Sequence, residues 1–499
     1  MTRAREKLLI YAPYAIWGPH FETDLELAQR CLDTGGDVVI LQCTGGLLTC
    51  FPNQAHRQSV CRMCMSRFRK GISWLDSSRV EVKDFLNITP GQQHEIELLA
   101  AREFSTHDDV RSFTLRGADI GVGVISSVIS ILREPRPDVV QYDELIRLHL
   151  VSAARVFFSL FNHIQEECPS AFILFNGRYA QLRPALSAAR MHNIETYVHE
   201  RAGVLDRFSL TLNATPHDIA AIQKEMRHIA EHCEVDEESR QRVARQWFEE
   251  RRNNVIQGWE SFTKQQQWGH LPELSKHQLN LAIFISSEDE LEAFEEWRSP
   301  FYADQNEGIE KLLSDATITQ KFKIFIREHP NLKDIDNSQT RGLRKLCALY
   351  EEKVNFIPGA SPISTYSLID ACDLVLTFGS TVGIEAVYSG KPSFLVGRAY
   401  YENLDCCVVP DSHAELIDLL AAFADGDRGM LPAFDTCRRA VAIYGYFNKT
   451  WGQHFTYAKV LGLRTLRMTK RGKSRRLRPS LCPWLLFQGE ELLNRWRRS

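Results

Sequence analysis

The stretch Leu374-Val-Leu-Thr-Phe-Gly-Ser-Thr-Val-Gly-Ile-Glu-Ala-Val-Tyr-Ser-Gly-Lys-Pro-Ser-Phe-Leu-Val-Gly397 constrains the fold more than any other part of the chain. It reads as a buried strand (Leu374 to Phe378), a tight turn at Gly379-Ser380-Thr381, a helix to about Tyr388, and a second buried strand ending at Gly397. A turn of small hydroxylated residues opening a helix at a strand's carboxyl end is how α/β folds hold a phosphate. Free backbone N–H groups and the positive end of the helix dipole point at the ligand. Glu385 falls one helical turn after Thr381 on the same face, where a carboxylate can accept hydrogen bonds from a ribose diol. The stretch predicts a nucleotide-activated substrate at this turn.

A length of 499 residues exceeds one core and suits two domains with an extra terminal layer. Strand and helix patterns fill both. Lys7 to Tyr14 reads as a strand, Thr23 to Thr34 as a helix stopped by Gly35-Gly36, and Asp37 to Gln42 as a second strand, a β-α-β unit. Ala171 to Phe175, Leu182 to Met191 and Ile194 to Val198 repeat strand, helix, strand. Pro216 suits the start of a long polar helical block from Asp218 to about Gln267, read as a connecting region. Strands resume at Leu279 to Ile285, Lys323 to Arg327, Val354 to Ile357, Leu374 to Phe378 and Ser393 to Val396, with helix patterns between most of them. Such alternation makes parallel sheets with right-handed crossovers. The expected architecture is α/β: two Rossmann-like domains facing each other across a cleft, with helical insertions and a basic C-terminal tail. The bounds read as 1–215, a helical connector 216–275, 276–460, and a tail 461–499.

Apolar content of 44% and charged content of 25% are ordinary for a globular protein. No apolar run approaches a membrane span, and the N-terminus leads into a strand without a signal-peptide core. The expected location is cytoplasmic. The net charge of −3 hides an asymmetry: Leu461–Ser499 holds eleven Lys/Arg against two Glu, which leaves the rest strongly acidic. Trp484, Leu485, Leu486, Phe487, Leu492, Leu493 and Trp496 interleave with those charges. Such a segment suits the anionic inner face of a membrane; a basic helix packing back on an acidic domain and a disordered tail are the alternatives. No recognition motif accompanies the charge, so nucleic acid is not an expected partner.

Three strand ends carry polar clusters in the second half. Beside Gly379-Ser380-Thr381 stand Arg327-Glu328-His329-Pro330-Asn331 and Ser286-Ser287-Glu288-Asp289. His329 or Arg327 can pair with a pyrophosphate, and Ser286 and Ser287 can contact a ligand, although singly these are ordinary turn and cap sequences. Open sheets bind ligands at these ends. In the first half, Asn176-Gly177-Arg178 follows one strand and His199-Glu200-Arg201 the next. A His, Glu and Arg after a strand can orient a hydroxyl and remove its proton; a surface ion-pair cluster is the alternative. His20, Glu22 and Asp24 are rival general bases, or simply the acidic first turn of a helix. Most of the thirteen cysteines sit in apolar surroundings, so disulfides are not expected. Cys43, Cys50, Cys61 and Cys64 can form a tetrahedral zinc site, with reduced buried thiols the alternative.

Thr377-Phe-Gly-Ser-Thr-Val-Gly-Ile-Glu-Ala386, Gly390-Lys-Pro392 and Gly397-Arg-Ala-Tyr-Tyr401 resemble bacterial capsule and surface-polysaccharide biosynthesis proteins. These are glycosyltransferase-like proteins of the GT-B fold, related to capsular Kdo-transferase-type enzymes. Phe175-Asn-Gly-Arg178, His199-Glu-Arg201 and Phe284-Ile-Ser-Ser-Glu-Asp289 are similar to segments of the same group, as is the Cys43–Cys64 cluster. The resemblance spans Asn176 to Tyr401. It implies a nucleotide-sugar donor on the C-terminal domain and a glycan or lipid-linked glycan acceptor on the N-terminal one. By position, Ser286, Ser287, Gly379, Ser380 and Thr381 bind the donor, Glu385 its ribose or sugar, and His329 its phosphate. Asn176, Arg178 and Arg201 bind the acceptor, with His199, Glu200, His20 or Glu22 catalytic. There is no D-x-D pair at a strand end, so no metal cofactor is expected for catalysis. The alternatives to the transferase are a sugar-nucleotide epimerase, a polyol-phosphate transferase, and a non-catalytic scaffold of polysaccharide assembly.

Overall fold

The computed structural model describes residues 6–232, 234–258, 261, 263–470 and 472–479. The seven apolar residues from Trp484 to Trp496 that carry the membrane-surface reading lie outside the described residues. The chain forms two compact units. The first takes the residues up to Leu132, then Pro137–Pro216 and the chain from Gly452; the second takes Arg133–Arg136 and His217–Trp451.

In the first unit, β1 (Lys7–Ala12), β2 (Asp37–Gln42), β3 (Val80–Asp84), β4 (Ala171–Phe175) and β5 (Glu195–Arg201) run parallel, and β6 (Arg207–Leu212) turns back antiparallel to β5. The order is β6-β5-β4-β1-β2-β3, with the short strand Gln453–His454 paired outside β6. Residues Leu9 to Ala12 of β1 are almost wholly buried, as befits a central parallel strand with layers on both faces. The helix His20–Asp33 supplies one layer: Phe21, Leu25, Ala28 and Leu32 pack with Ile10, Val38 and Ile40. The chain leaves β1 toward β2 and β3, and later leaves β4 toward β5 and β6. The strand order therefore reverses between β1 and β4. At such a reversal the loops leave the sheet toward opposite sides at the carboxyl ends, where open α/β sheets bind ligands.

Two expectations change here. His199, Glu200 and Arg201 do not follow β5 but form its last three residues. Pairing of His199 with Leu210, Glu200 with Ser209 and Arg201 with Phe208 extends the strand along β6. The chain beyond Leu461, for which a basic helix packing back was one alternative, is strand over much of its described part. Ala458–Gly462, Thr465–Lys470 and Lys473–Arg475 form a three-stranded antiparallel sheet. Leu466 and Met468 point into the core with Phe21 and Phe68, while Arg467 between them is exposed: period two, not 3.6. The segment does pack back on the first unit, with Lys470 Nζ 2.9 Å from Asp76 Oδ2. The expected bounds of 276–460 and 461–499 differ from these units accordingly.

The second unit holds five parallel strands: β7 (Leu279–Phe284), β8 (Phe322–Arg327), β9 (Val354–Ile357), β10 (Leu374–Thr377) and β11 (Ser393–Leu395), in the order β11-β10-β7-β8-β9. Alternate residues feed two separate cores, Leu281, Ile283, Ile324 and Ile326 on one face and Ala282, Phe284 and Phe325 on the other. Fully burying one such Leu or Ile stabilises the fold by about 1.5–3 kcal/mol. The order reverses between β7 and β10, so this unit too has a switch point. Among the described residues of both units, no helix is long and apolar enough to cross a membrane.

The polar block read as a connector is a layer of the second unit. Its helices Ile219–Glu231 and Glu237–Arg252 bury Ile222, Met226, Trp247 and Phe248 against Ile384, Tyr401 and Tyr444. Phe248 stacks on Tyr388 at 4.4 Å, and Trp247 meets Tyr444 edge-on at 5.6 Å. The helix Phe434–Thr450 crosses Glu237–Arg252 so closely at Gly445 that a Cβ there lies 2.8 Å from the Ala244 carbonyl oxygen. Gly445→Ala should therefore force the helices apart and cost about 1–3 kcal/mol. Urea unfolding of the variant against the parent measures it, and an unchanged midpoint contradicts the close crossing.

Candidate functional site

At the first switch point, β1 delivers Trp17 and the helix from His20, while β4 delivers Asn176 and β5 delivers His199 and Glu200. Asn176 adopts a left-handed φ of +57°, tolerated by Asn, and turns the chain sharply off β4. Its amide donates to Glu200 Oε2 at 2.8 Å, and the Arg201 N–H donates to Glu200 Oε1 at 2.8 Å. On the opposite face of β5, His199 Nε2 lies 2.8 Å from Asp24 Oδ1, both groups buried. His20 links the two: its ring stacks on Phe175 at 3.7 Å and its Nδ1 stands 3.8 Å from Glu200 Oε1. Burial holds the His20 imidazole well below its usual range, with His199 and Arg201 adding to the effect. Burial also pushes Glu200 up, against the two hydrogen bonds that favour its carboxylate. Burial thus disfavours the charged form of each group, and the proximity of the two opposes it.

Not every expected residue joins this cluster. Glu22 is ion-paired with Arg67, whose guanidinium also donates to the carbonyls of Ala15 and Leu477. That carboxylate anchors a helix start and is unsuited to act as a base. Arg178 is buried, donating to Ser126 Oγ at 3.1 Å and Ser130 Oγ at 2.7 Å. Arg201 donates to the Leu463 carbonyl. Asp24, a rival base by sequence, is the partner of His199; burial raises its carboxyl and the imidazole pulls it back.

At the second switch point the loops after β7 and β10 stand side by side. Gly379 has φ +114°, and a Cβ there lies 2.6 Å from the Arg398 carbonyl oxygen, so only glycine fits this turn. The Ser380 N–H donates to Thr377 Oγ1 at 3.0 Å and the Val382 N–H to Ser380 Oγ at 3.3 Å, which opens the helix Val382–Tyr388. Ser286 is held by Gln305, which bonds its N–H at 3.0 Å and its Oγ at 3.0 Å. Ser287 bonds Asp289, which is ion-paired with Arg133. Arg133 also donates to the Asn331 carbonyl at 3.2 Å beside His329. His329 accepts the Asn331 N–H at Nδ1, 3.1 Å, and burial pushes its imidazole down to about 4. It is a neutral donor at pH 7, not a cation. Arg327 turns its guanidinium to the carbonyls of Pro358 and Ser361, and burial lowers it to about 10.

Glu385 does share a face with Thr381, yet Arg251 joins them: its Nε donates to Glu385 Oε1 at 2.7 Å and its Nη2 to Thr381 Oγ1 at 3.2 Å. The sequence reading missed Arg251 because it lay in the block taken as a connector. The doublet Arg251-Arg252, ending a helix that carries the aromatic pair Trp247-Phe248, is the signal that could have found it. Arg133 had no signal, since only the tertiary fold brings Arg133–Arg136 into the second unit.

The four cysteines lie near one another, Cys50 within electrostatic reach of Cys43, Cys64 and Cys61. Cys61 Sγ accepts from the Asn53 amide at 3.3 Å and Cys64 donates to the Pro13 carbonyl at 3.9 Å. Burial pushes Cys43 to about 11 and Cys64 to about 12. Among the described residues no group of three or more His, Cys, Asp or Glu side chains is placed to hold a metal ion.

Two doubly wound sheets with a polar cluster at each switch point define a GT-B-like α/β protein. Residues 297–405 match the family described as capsule polysaccharide biosynthesis protein, which bears out the resemblance read from the motifs. That segment holds His329, the Gly379–Thr381 turn and Glu385. No curated protein sequence matches the chain. Among solved structures it is similar to the β-Kdo 2,4-transferase of Thermosulfurimonas dismutans KpsC, at 12% identity over 62% of this chain and 85% of that one, with a TM-score of 0.34. It is also similar to UDP-GlcNAc 2-epimerase from Neisseria meningitidis bound to UDP-GlcNAc, at 10% identity over 88% and 97%, with a TM-score of 0.27. Likeness at that level says nothing of a substrate.

The depressed His329 imidazole has a measurable sign. Its folded-state value of about 4 lies below the ordinary 6.5 or so, so the unfolded chain takes up the proton first. Stability contributed by His329 is complete above pH 6.5 or so and is lost as pH falls toward about 4. His329→Gln should therefore lose less stability than the parent between those pH values in urea titrations. An identical pH slope contradicts the assignment.

Proposed function

We propose that the protein is a metal-independent glycosyltransferase of surface-polysaccharide synthesis, taking a nucleotide-sugar donor on its second unit and a glycan or lipid-linked glycan acceptor on its first. The observation that carries this reading is the donor-type turn Gly379-Ser380-Thr381 at a switch point, inside the segment that matches the capsule polysaccharide family. Backbone N–H groups at that turn suit a diphosphate, and Arg251, hydrogen-bonded to Thr381 and Glu385, adds positive charge beside it. His329, neutral and half-buried, suits hydrogen-bond donation to a phosphate oxygen.

On the first unit His20 is the best-suited base. It lies at the carboxyl end of the sheet, keeps slight exposure where His199 has none, and is backed by Glu200. In the transfer, the acceptor hydroxyl gives its proton to His20 while its oxygen bonds the anomeric carbon. The bond from that carbon to the donor phosphate oxygen breaks, and the nucleotide leaves with the electron pair. Glu200 stabilises the imidazolium as it forms, and Asn176 keeps Glu200 in place.

A thermal-shift screen against CMP-, UDP-, GDP- and dTDP-sugars should single out one nucleotide, with about 2.7 kcal/mol of stabilisation at a hundredfold excess over Kd. Ser380→Ala with Thr381→Ala should remove that shift. His20→Gln should keep it and lower transfer by about 10²–10⁴-fold. Loss of the shift in His20→Gln, or its survival in the double variant, overturns the division of roles. Conversion of the donor without any acceptor identifies an epimerase instead.

A further inference from the structure

An open surface groove lies in the second unit, away from the turn at Gly379. Its volume is about 690 Å³, and it is lined by Glu249, Arg252, Asn253, Trp268, Asp370, Tyr388 and Ser389. The volume is that of a small-molecule site. The helix Val382–Tyr388 separates the two places: Ser380 and Thr381 precede its amino end, and Tyr388 and Ser389 form the groove wall at its carboxyl end, about 10 Å on. Arg251 faces the first and Arg252 the second.

The lining is preorganised. Arg252 donates to Ser389 Oγ at 2.8 Å and Asp370 Oδ2 at 2.5 Å, and its guanidinium lies 5.3 Å from the Trp268 ring and 5.2 Å from Tyr366. Tyr388 is fixed by its stack on Phe248 and by a hydrogen bond to Glu249. Trp268 is 65% exposed, with the Arg252 guanidinium over its ring, and gives the groove an accessible aromatic surface. Two carboxylates against one guanidinium repel phosphate and carboxylate groups, which rules against a nucleotide or an acidic sugar here. Carboxylates, an amide and a hydroxyl around an aromatic plate match a neutral pyranose, with hydroxyls at its rim and C–H groups on its faces.

We propose that this groove is a binding subsite for a neutral saccharide chain, separate from the nucleotide turn and able to hold a glycan whatever reaction the protein performs. The inference rests on the groove lining and not on the transferase reading. Calorimetric titration of the full-length protein with maltohexaose, cellohexaose and laminarihexaose tests it. At least one should bind, Trp268→Ala should weaken it about tenfold or more, and Trp268→Phe should restore part of the loss. Phe434→Ala, at a still more exposed ring elsewhere, should leave binding unchanged. Thermal shifts with nucleotide sugars should be the same in all three variants, which separates failure here from failure of the donor site. Absence of binding by all three oligosaccharides at millimolar concentration overturns the proposal, as does equal affinity in Trp268→Ala with its thermal midpoint preserved.

Discussion

Burial of parallel strands on both faces is the constraint on which the rest depends. In β7, β8 and β10 the middle side chains suit one apolar core or the other, and the polar residues Asn280, Lys323, Arg327 and Thr377 stand at or next to the strand ends. Polar chemistry collects where the strands end. The reversal of order between β1 and β4, and again between β7 and β10, parts the loops at two of those ends. His20, Asn176 and Glu200 meet at one; Ser286, Gly379 and Ser380 frame the other. Neither cluster needs adjacency in sequence, because the sheet order supplies it.

The same burial sets the charges. His20 and His329 stay neutral because water is excluded from around them, and Glu200 is pushed toward its acid form for the same reason. Fixed ion pairs then absorb the groups whose charge could not otherwise be kept inside: Glu22 with Arg67, Asp289 with Arg133, Glu385 with Arg251. This divides residues that looked alike. Glu22 and Glu200 are both buried carboxylates near one helix start, yet one has a guanidinium and the other an amide and a neutral ring.

Strands of the parallel cores were legible because their apolar runs are continuous. Asp37–Gln42, Ala171–Phe175 and Val354–Ile357 fall where hydrophobicity put them. β3, whose residues Val80-Glu-Val-Lys-Asp84 lie at an edge and are half-exposed, gave no such run. β5 was cut short at Val198 because His199, Glu200 and Arg201 are polar, and only pairing with β6 carries them into the sheet. The basic segment after Leu461 was misread for a related reason: charge dominated its composition and hid the alternation of Leu466 and Met468 with exposed basic residues. Of the site, the turn at Gly379 was visible from its chemistry. The ion-pair partners Arg67, Arg133 and Arg251 were not, since each comes from an element remote in sequence.

The helix Glu237–Arg252 shows why composition misleads at such places. Its sequence is dominated by Arg, Glu and Gln, and it reads as a solvated spacer. Three buried residues, Ala244, Trp247 and Phe248, suffice to dock it, because two of them are large aromatics that fill a core with Tyr388, Tyr401 and Tyr444. Once docked, its last turn has nowhere to send two consecutive guanidinium groups except to the two ends of the helix Val382–Tyr388. Arg251 reaches the carboxylate and hydroxyl at the amino end, and Arg252 reaches Ser389 and Asp370 at the carboxyl end. A cation beside a helix amino terminus opposes the dipole, and it is tolerated here because Glu385 neutralises it.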